Sequence, residues 1–169
     1  MTRRLEKKIS KIFSNSEYYS CIEDVFNSDP VKLMDTFIQH GNITTLEHCI
    51  NVSYKSYKIA KALKMDYRSA ARAGLLHDMF LYDWHSQPKN GSFFKEHGFT
   101  HPQIALENAM THFDLNEIEK DIISKHMWPL TISKIPKYKE SFLITFVDKY
   151  VACAEFVSPY IGKISDYLL

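Results

Sequence analysis

The sequence predicts an all-α fold. Apolar residues recur at three- and four-residue spacing over long segments, glycine and proline are sparse at 5 and 6 of 169 residues, and no stretch sustains the apolar–polar alternation of a half-buried strand. Helices are expected over 3–13, 30–40, 45–64, 67–80, 101–113, 115–127 and 139–157, with a short C-terminal piece after Pro159.

In the first of these, Leu5, Ile9, Ile12 and Phe13 share a face, with Arg3, Arg4, Lys7, Lys8 and Lys11 around them. That pattern suits a packing helix with a solvated basic face, with attachment to a membrane surface as the alternative. The segment 45–64 carries His48 and sets Val52, Ile59, Ala60 and Leu63 on overlapping apolar faces, so it is expected to pack centrally. The next helix reads ARAGLL before His77-Asp78, and the small residues Ala73 and Gly74 leave room one turn ahead of that pair.

Leu81 to Phe99 holds Pro88, Gly91 and Gly98 and reads as a long irregular stretch, a candidate lid. Thr100 or His101 then caps a helix with Pro102 in its first turn, which places His101 at a helix start. Asp114 and Glu117 form a capping-box-like start to the following helix, and Pro129 cannot continue it. His126 therefore falls in a last turn, in line with Ile118 and Ile122 and facing the core. In the last long helix Asp148 has Ile144, Thr145, Val151 and Ala152 at helical spacing. A carboxylate buried there without a partner costs several kcal/mol, so it must meet a basic side chain or a metal ion.

Charge and composition narrow the function. Lys and Arg number 21 against 20 Asp and Glu, so the net charge of +1 provides no whole-molecule field toward nucleic acid or an anionic membrane. Any phosphate binding must be local. Cys21, Cys49 and Cys153 are odd in number and widely spaced, which favours a reducing, cytoplasmic setting over a disulfide framework. No run approaches the roughly 18 apolar residues of a membrane span, and MTRRLEKKISKIF lacks the apolar centre of a secretory leader, so the mature protein is expected to be the whole chain.

Histidine and carboxylate are ligands suited to iron, manganese and zinc, and the order His48, His77-Asp78, His101, His126, Asp148 is the feature that carries chemistry. This order, with LLHD at the doublet and VDKY at the last aspartate, resembles the HD superfamily signature, including the two extra histidines of its dinuclear members. The segments GFTHPQIALENA, KHMWPLT and FVDKY are similar to a bacterial subgroup of HD proteins. The resemblance spans Thr44 to Glu155 and implies a compact HD-domain helical bundle, one domain over 1–169 with its catalytic core at about 44–157 and residues 1–43 packed against it.

It further implies that His48, His77, Asp78 and Asp148 hold one metal, that His101 and His126 hold a second, and that Asp78 bridges the two and takes the catalytic role. The implied cofactors are two divalent ions, iron or manganese first, with magnesium, nickel, cobalt or zinc as alternatives. The implied activity is a phosphohydrolase cleaving a phosphate ester or anhydride of a nucleotide or other small phosphorylated metabolite through a metal-bridged hydroxide. Two other readings share the ligand pattern: an HD-fold di-iron oxygenase acting on a small polar or phosphonate substrate, and a metal- or ligand-binding module without turnover. Candidates for substrate contact are Lys95, His97, Lys149 and Trp128. Phe80, Tyr82, Trp84, Phe93, Phe94 and Phe99 can stack on a base or pack the interior. A small phosphorylated molecule is the expected partner, and a homodimer is left open.

Overall fold

The computed structural model describes the backbone of residues 3–84 and 92–167 and the side chains of residues 5–84 and 98–157. Among the described residues, eight α-helices stand against one two-stranded hairpin, so the all-α expectation holds.

Helix α1 (Arg3–Phe13) buries Leu5, Ile9 and Ile12, the stripe its sequence predicts. Helix α2 (Ser16–Phe26) is an element the sequence pattern did not announce. Asn15 caps it by accepting from the Tyr18 N–H, and Tyr18, Cys21, Ile22 and Val25 form its buried face. Tyr18 interrupts the aliphatic pattern with a polar tip, and its hydroxyl is satisfied inside the protein by Ser53 Oγ at 2.8 Å.

The expected helix over 30–40 is replaced by three short pieces: α3 (Asp29–Leu33), a 3-10 turn (Met34–Thr36) and strand β1 (Ile38–His40). Strand β1 pairs antiparallel with β2 (Ile43–Thr44), and Gly41 at φ +54 makes the turn. A glycine takes that left-handed angle without Cβ strain, so the hairpin can turn there, the helical path having already ended at Phe37, whose backbone is extended. Thr45 then anchors the hairpin through its N–H, which donates to the Phe37 carbonyl at 2.8 Å.

Helix α4 (Thr45–Ala62) is capped by Thr44 and packs most extensively on α5 (Tyr67–Leu76), which is capped by Asp66. Their approach is close because Gly74 has no side chain: a Cβ there would stand 2.9 Å from the Ser53 Cα. Ser53 Oγ also donates to the Ala71 carbonyl at 2.6 Å, tying the two helices. The expected run to residue 80 stops at Leu76, because the chain turns as the Met79 N–H donates to the Leu76 carbonyl and the Phe80 N–H to the Asp78 carbonyl.

Helix α6 (Ser92–His112) begins nine residues before the expected start at 101, and Pro102 lies inside it rather than in its first turn. The lid expected over 81–99 is therefore helical from Ser92, and its residues 85–91 lie outside the described ones. A proline inside a helix removes one backbone bond. Here Pro102 is buried together with His101, Ala105 and Ala109, on a helix that packs against α7, and this burial offsets the loss. Helix α7 (Glu117–Lys125) has a capping box, but it is built by Asn116 and Glu119, two residues later than the expected Asp114 and Glu117.

Helix α8 (Lys139–Tyr167) runs unbroken past Pro159, where a break was expected. Its start is held from α7: Asp121 Oδ2 accepts from the Lys137 N–H at 2.8 Å and the Ser141 hydroxyl at 2.7 Å. Helices α4 and α5 form the centre, with α2, α7 and α8 packed around them.

Candidate metal centre

His48 sits in the first turns of α4 and is fully buried. Its Nε2 lies 3.0 Å from Asp148 Oδ1 and its Nδ1 lies 2.8 Å from Glu155 Oε2. The two acids are seven residues apart on α8, two helical turns, so one face of α8 grips both ring nitrogens. Glu155 is held in turn by Asn51, whose Nδ2 donates to Oε1 at 2.6 Å. Burial alone would disfavour a charged imidazole, but the two carboxylates outweigh it and hold His48 up at about 10. A proton thus sits between His48 and Asp148 when no other cation does. The cation that the buried Asp148 requires is supplied by histidines, since His77 Nε2 also lies 3.6 Å from Asp148 Oδ1.

His77 and Asp78 follow the last residue of α5. On a regular helix, neighbours diverge by about 100°. The turn after Leu76 lets both face one point, and His77 Nε2 lies 3.4 Å from Asp78 Oδ2. His77 Nδ1 donates to the Gly74 carbonyl at 2.9 Å, which leaves Nε2 as the lone-pair nitrogen of the neutral ring. The nearby Asp78 carboxylate more than reverses the effect of burial and keeps His77 well above the ordinary imidazole range.

His101 from α6 and His126 at the end of α7 complete the cluster. Their Nε2 atoms are 2.9 Å apart, and both approach Asp78 Oδ1, at 3.3 and 3.4 Å. His126 Nδ1 donates to the Ile123 carbonyl at 2.9 Å, fixing its ring as the Gly74 carbonyl fixes that of His77. Burial, with His101 and His77 adding repulsion, lowers the His126 pKa despite Asp78. Asp78 goes the other way: burial would raise it, yet the three histidines around it hold the carboxyl well below its usual range.

The donor set fits divalent metal. His48, His77 and Asp78 each offer a ligand atom within 4.8 Å of the others, and so do Asp78, His101 and His126. Among the described residues, His77 Nε2 and Asp78 Oδ1 are buried without a hydrogen-bond partner, although both belong to strong hydrogen-bonding groups. Mixed imidazole and carboxylate donors match iron, manganese, cobalt, nickel and zinc better than soft-ligand metals.

A family model described as HD domain matches residues 45–153, well over half of the chain. The chain belongs to the HD domain family. HD domains bind divalent metals and form a superfamily of metal-dependent hydrolases, and the match runs from the residue before Leu46 in α4 to Cys153 in α8, enclosing His48 through Asp148. No curated protein and no solved structure gives a significant match. Among the described residues of this HD domain, no helix is long and apolar enough to cross a membrane.

The substrate-contact candidates are less gathered than the ligands. Lys149 is close: its Nζ donates to the His126 carbonyl at 3.1 Å and the Thr145 carbonyl at 3.4 Å. Burial lowers its pKa, opposed by Asp148 and Asp78. Trp128 sets its ring edge-on to Phe142, with centroids 5.6 Å apart, a packing contact between the segment after α7 and α8. The side chains of Lys95 and His97 lie outside the described residues. Phe80 is buried, edge-on to His101 at 6.1 Å, and walls the cluster.

Glu155 and Gln39 were absent from the predicted set. Glu155 shares a helical face with Asp148, a seven-residue spacing that was readable. Gln39 comes from the hairpin, and nothing in its local pattern announces it. His40, on the same strand, lies edge-on to His48 at 5.6 Å.

Proposed function

We propose that the chain is a metal-dependent phosphohydrolase cleaving a phosphate ester or anhydride of a nucleotide or another small phosphorylated metabolite. The observation that carries the reading is that one buried carboxylate, Asp78, belongs to two separate three-residue groups able to hold a metal ion. The assigned ligands are His48, His77, Asp78 and Asp148 for one cation and Asp78, His101 and His126 for the other, with iron or manganese as first candidates. When bound, such a pair supplies Lewis acidity toward phosphate oxygens and an activated water as nucleophile.

The chain's own part is to have its donors fixed in advance. The Nδ1 atoms of His48, His77 and His126 are engaged by Glu155, the Gly74 carbonyl and the Ile123 carbonyl, so each ring turns Nε2 inward. Donors oriented this way need little reorganisation on binding, the arrangement expected around catalytic metals. Lys149 directs two of its three N–H groups at backbone carbonyls, which leaves a third for a substrate oxygen. Lys95, His97 and Trp128 are assigned to substrate contact on the same reading.

The test is anaerobic purification followed by a screen of nucleotides, dinucleoside polyphosphates and phosphomonoesters with manganese, iron or magnesium. Phosphate release without O₂ is expected. Turnover of no phosphorylated compound, together with O₂ uptake on an organic substrate, would replace hydrolysis with oxygenase chemistry.

A further inference from the structure

The hairpin β1–β2 reaches into the metal centre through a side chain outside the ligand set. Gln39 is buried, and its Nε2 donates to Asp78 Oδ2 at 2.7 Å. Its Oε1 accepts at 3.2 Å from the Thr45 hydroxyl, at the start of α4, whose one proton it shares with the Phe37 carbonyl at 3.3 Å. The ionised Asp78 can only accept, so the amide must present its NH₂ to the carboxylate and its carbonyl to Thr45. Thr45 is itself fixed, because its N–H donates to the Phe37 carbonyl. The chain of contacts runs Phe37, Thr45, Gln39, Asp78, and it sets the rotation of the one carboxylate that both ligand groups use.

We propose that Gln39 is a positioning residue that holds Asp78 with Oδ1 turned toward His101 and His126, and that it governs occupancy of the second cation more than the first. The asymmetry follows from the donors. The group around His48 and His77 has a second carboxylate in Asp148, whereas among the described residues the group around His101 and His126 has Asp78 as its only acid. A carboxylate free to rotate costs the second group its only anionic donor in place, and the first group keeps one. The proposal rests on the two-metal reading above.

Metal titrations of the whole chain with manganese, read as equivalents bound and as the coupled or isolated spin signal, test it. Gln39→Leu removes the donor at similar size, and Thr45→Val removes the hydroxyl that orients the amide. In Gln39→Leu the first equivalent should bind as in the parent protein, the second should weaken by about 10–100-fold, and the spin signal should change from coupled to isolated. Thr45→Val should shift the second equivalent in the same direction by less, and it serves if the leucine variant does not fold. Two equivalents bound with parental affinity in both variants, or equal weakening of both equivalents, would overturn the role given to Gln39. A parent protein that takes up only one equivalent would contradict the two-metal reading and this role with it, so the two failures are distinguishable.

Discussion

His48 Nδ1 and Glu155 Oε2 lie 2.8 Å apart across 107 positions of the chain. The carboxylate turns the imidazole so that Nε2 faces Asp148, and it raises the basicity of the ring. Glu155→Gln keeps the shape and removes the charge. Metal affinity is expected to fall about 10–100-fold with the fold intact, measured by titration against a competing chelator. Unchanged affinity would reduce Glu155 to a packing partner of α4.

His101 and His126 place their Nε2 atoms 2.9 Å apart on the same side of Asp78. Replacing either by alanine should leave one metal equivalent and a cooperative thermal transition. Metal analysis that still finds two equivalents in both variants would reject the partition of ligands.

Gly74 sets the distance between α4 and α5 and supplies the carbonyl that orients His77. In Gly74→Ala, helix propensity favours alanine by about 1 kcal/mol, whereas overpacking costs about 1–3 kcal/mol. The added Cβ meets backbone, the Ser53 Cα at 2.9 Å, and cannot be relieved by a side-chain rotation. A net loss in stability is expected, lowering Tm by about 2–4 °C for each kcal/mol, with weaker metal binding alongside. A more stable variant would show that the helices can separate without cost.

Asp121 links α7 to the start of α8. Burial alone would raise its pKa, but Lys125, the Ser141 hydroxyl and the Lys137 N–H together hold it below the ordinary value. A depressed carboxyl contributes stability above its unfolded pKa of about 3.9 and loses it as pH falls through the folded value. Asp121→Asn should therefore cost about 1–3 kcal/mol at neutral pH. The gap to the parent protein should begin to narrow below about pH 4 and close only once pH has fallen through the depressed folded value, where the parent's own carboxyl takes up a proton. Denaturant unfolding at neutral and acid pH checks this, and a gap independent of pH would assign the loss to shape instead of charge.

How far the sequence discloses this molecule depends on the range of each interaction. His126 and Asp148 were legible because their helical neighbours are apolar, and both are buried as that pattern requires. His101 was placed at a helix start because Thr100 or His101 read as a cap with Pro102 in the first turn. Burial of the face from His101 to Ala109 overrides that local signal, so the residue lies mid-helix and still reaches the cluster. The segment 30–40 read as helical by spacing alone, whereas the hairpin forms through Gly41 and a bond from Thr45, both of which lie beyond that segment. The adjacent pair His77-Asp78 posed a geometric difficulty on a helix, and the end of α5 at Leu76 resolves it. Gln39 meets Asp78 across 39 positions, a distance over which periodicity carries no information.

The central claim is that Asp78 belongs to two metal sites at once. Counting tightly bound divalent metal per chain, in anaerobically purified parent protein and in Asp78→Ala, tests it most directly. The account predicts two equivalents in the parent and loss of both metal binding and phosphate release in the variant. A variant that keeps two equivalents, or one that remains fully active, would contradict it.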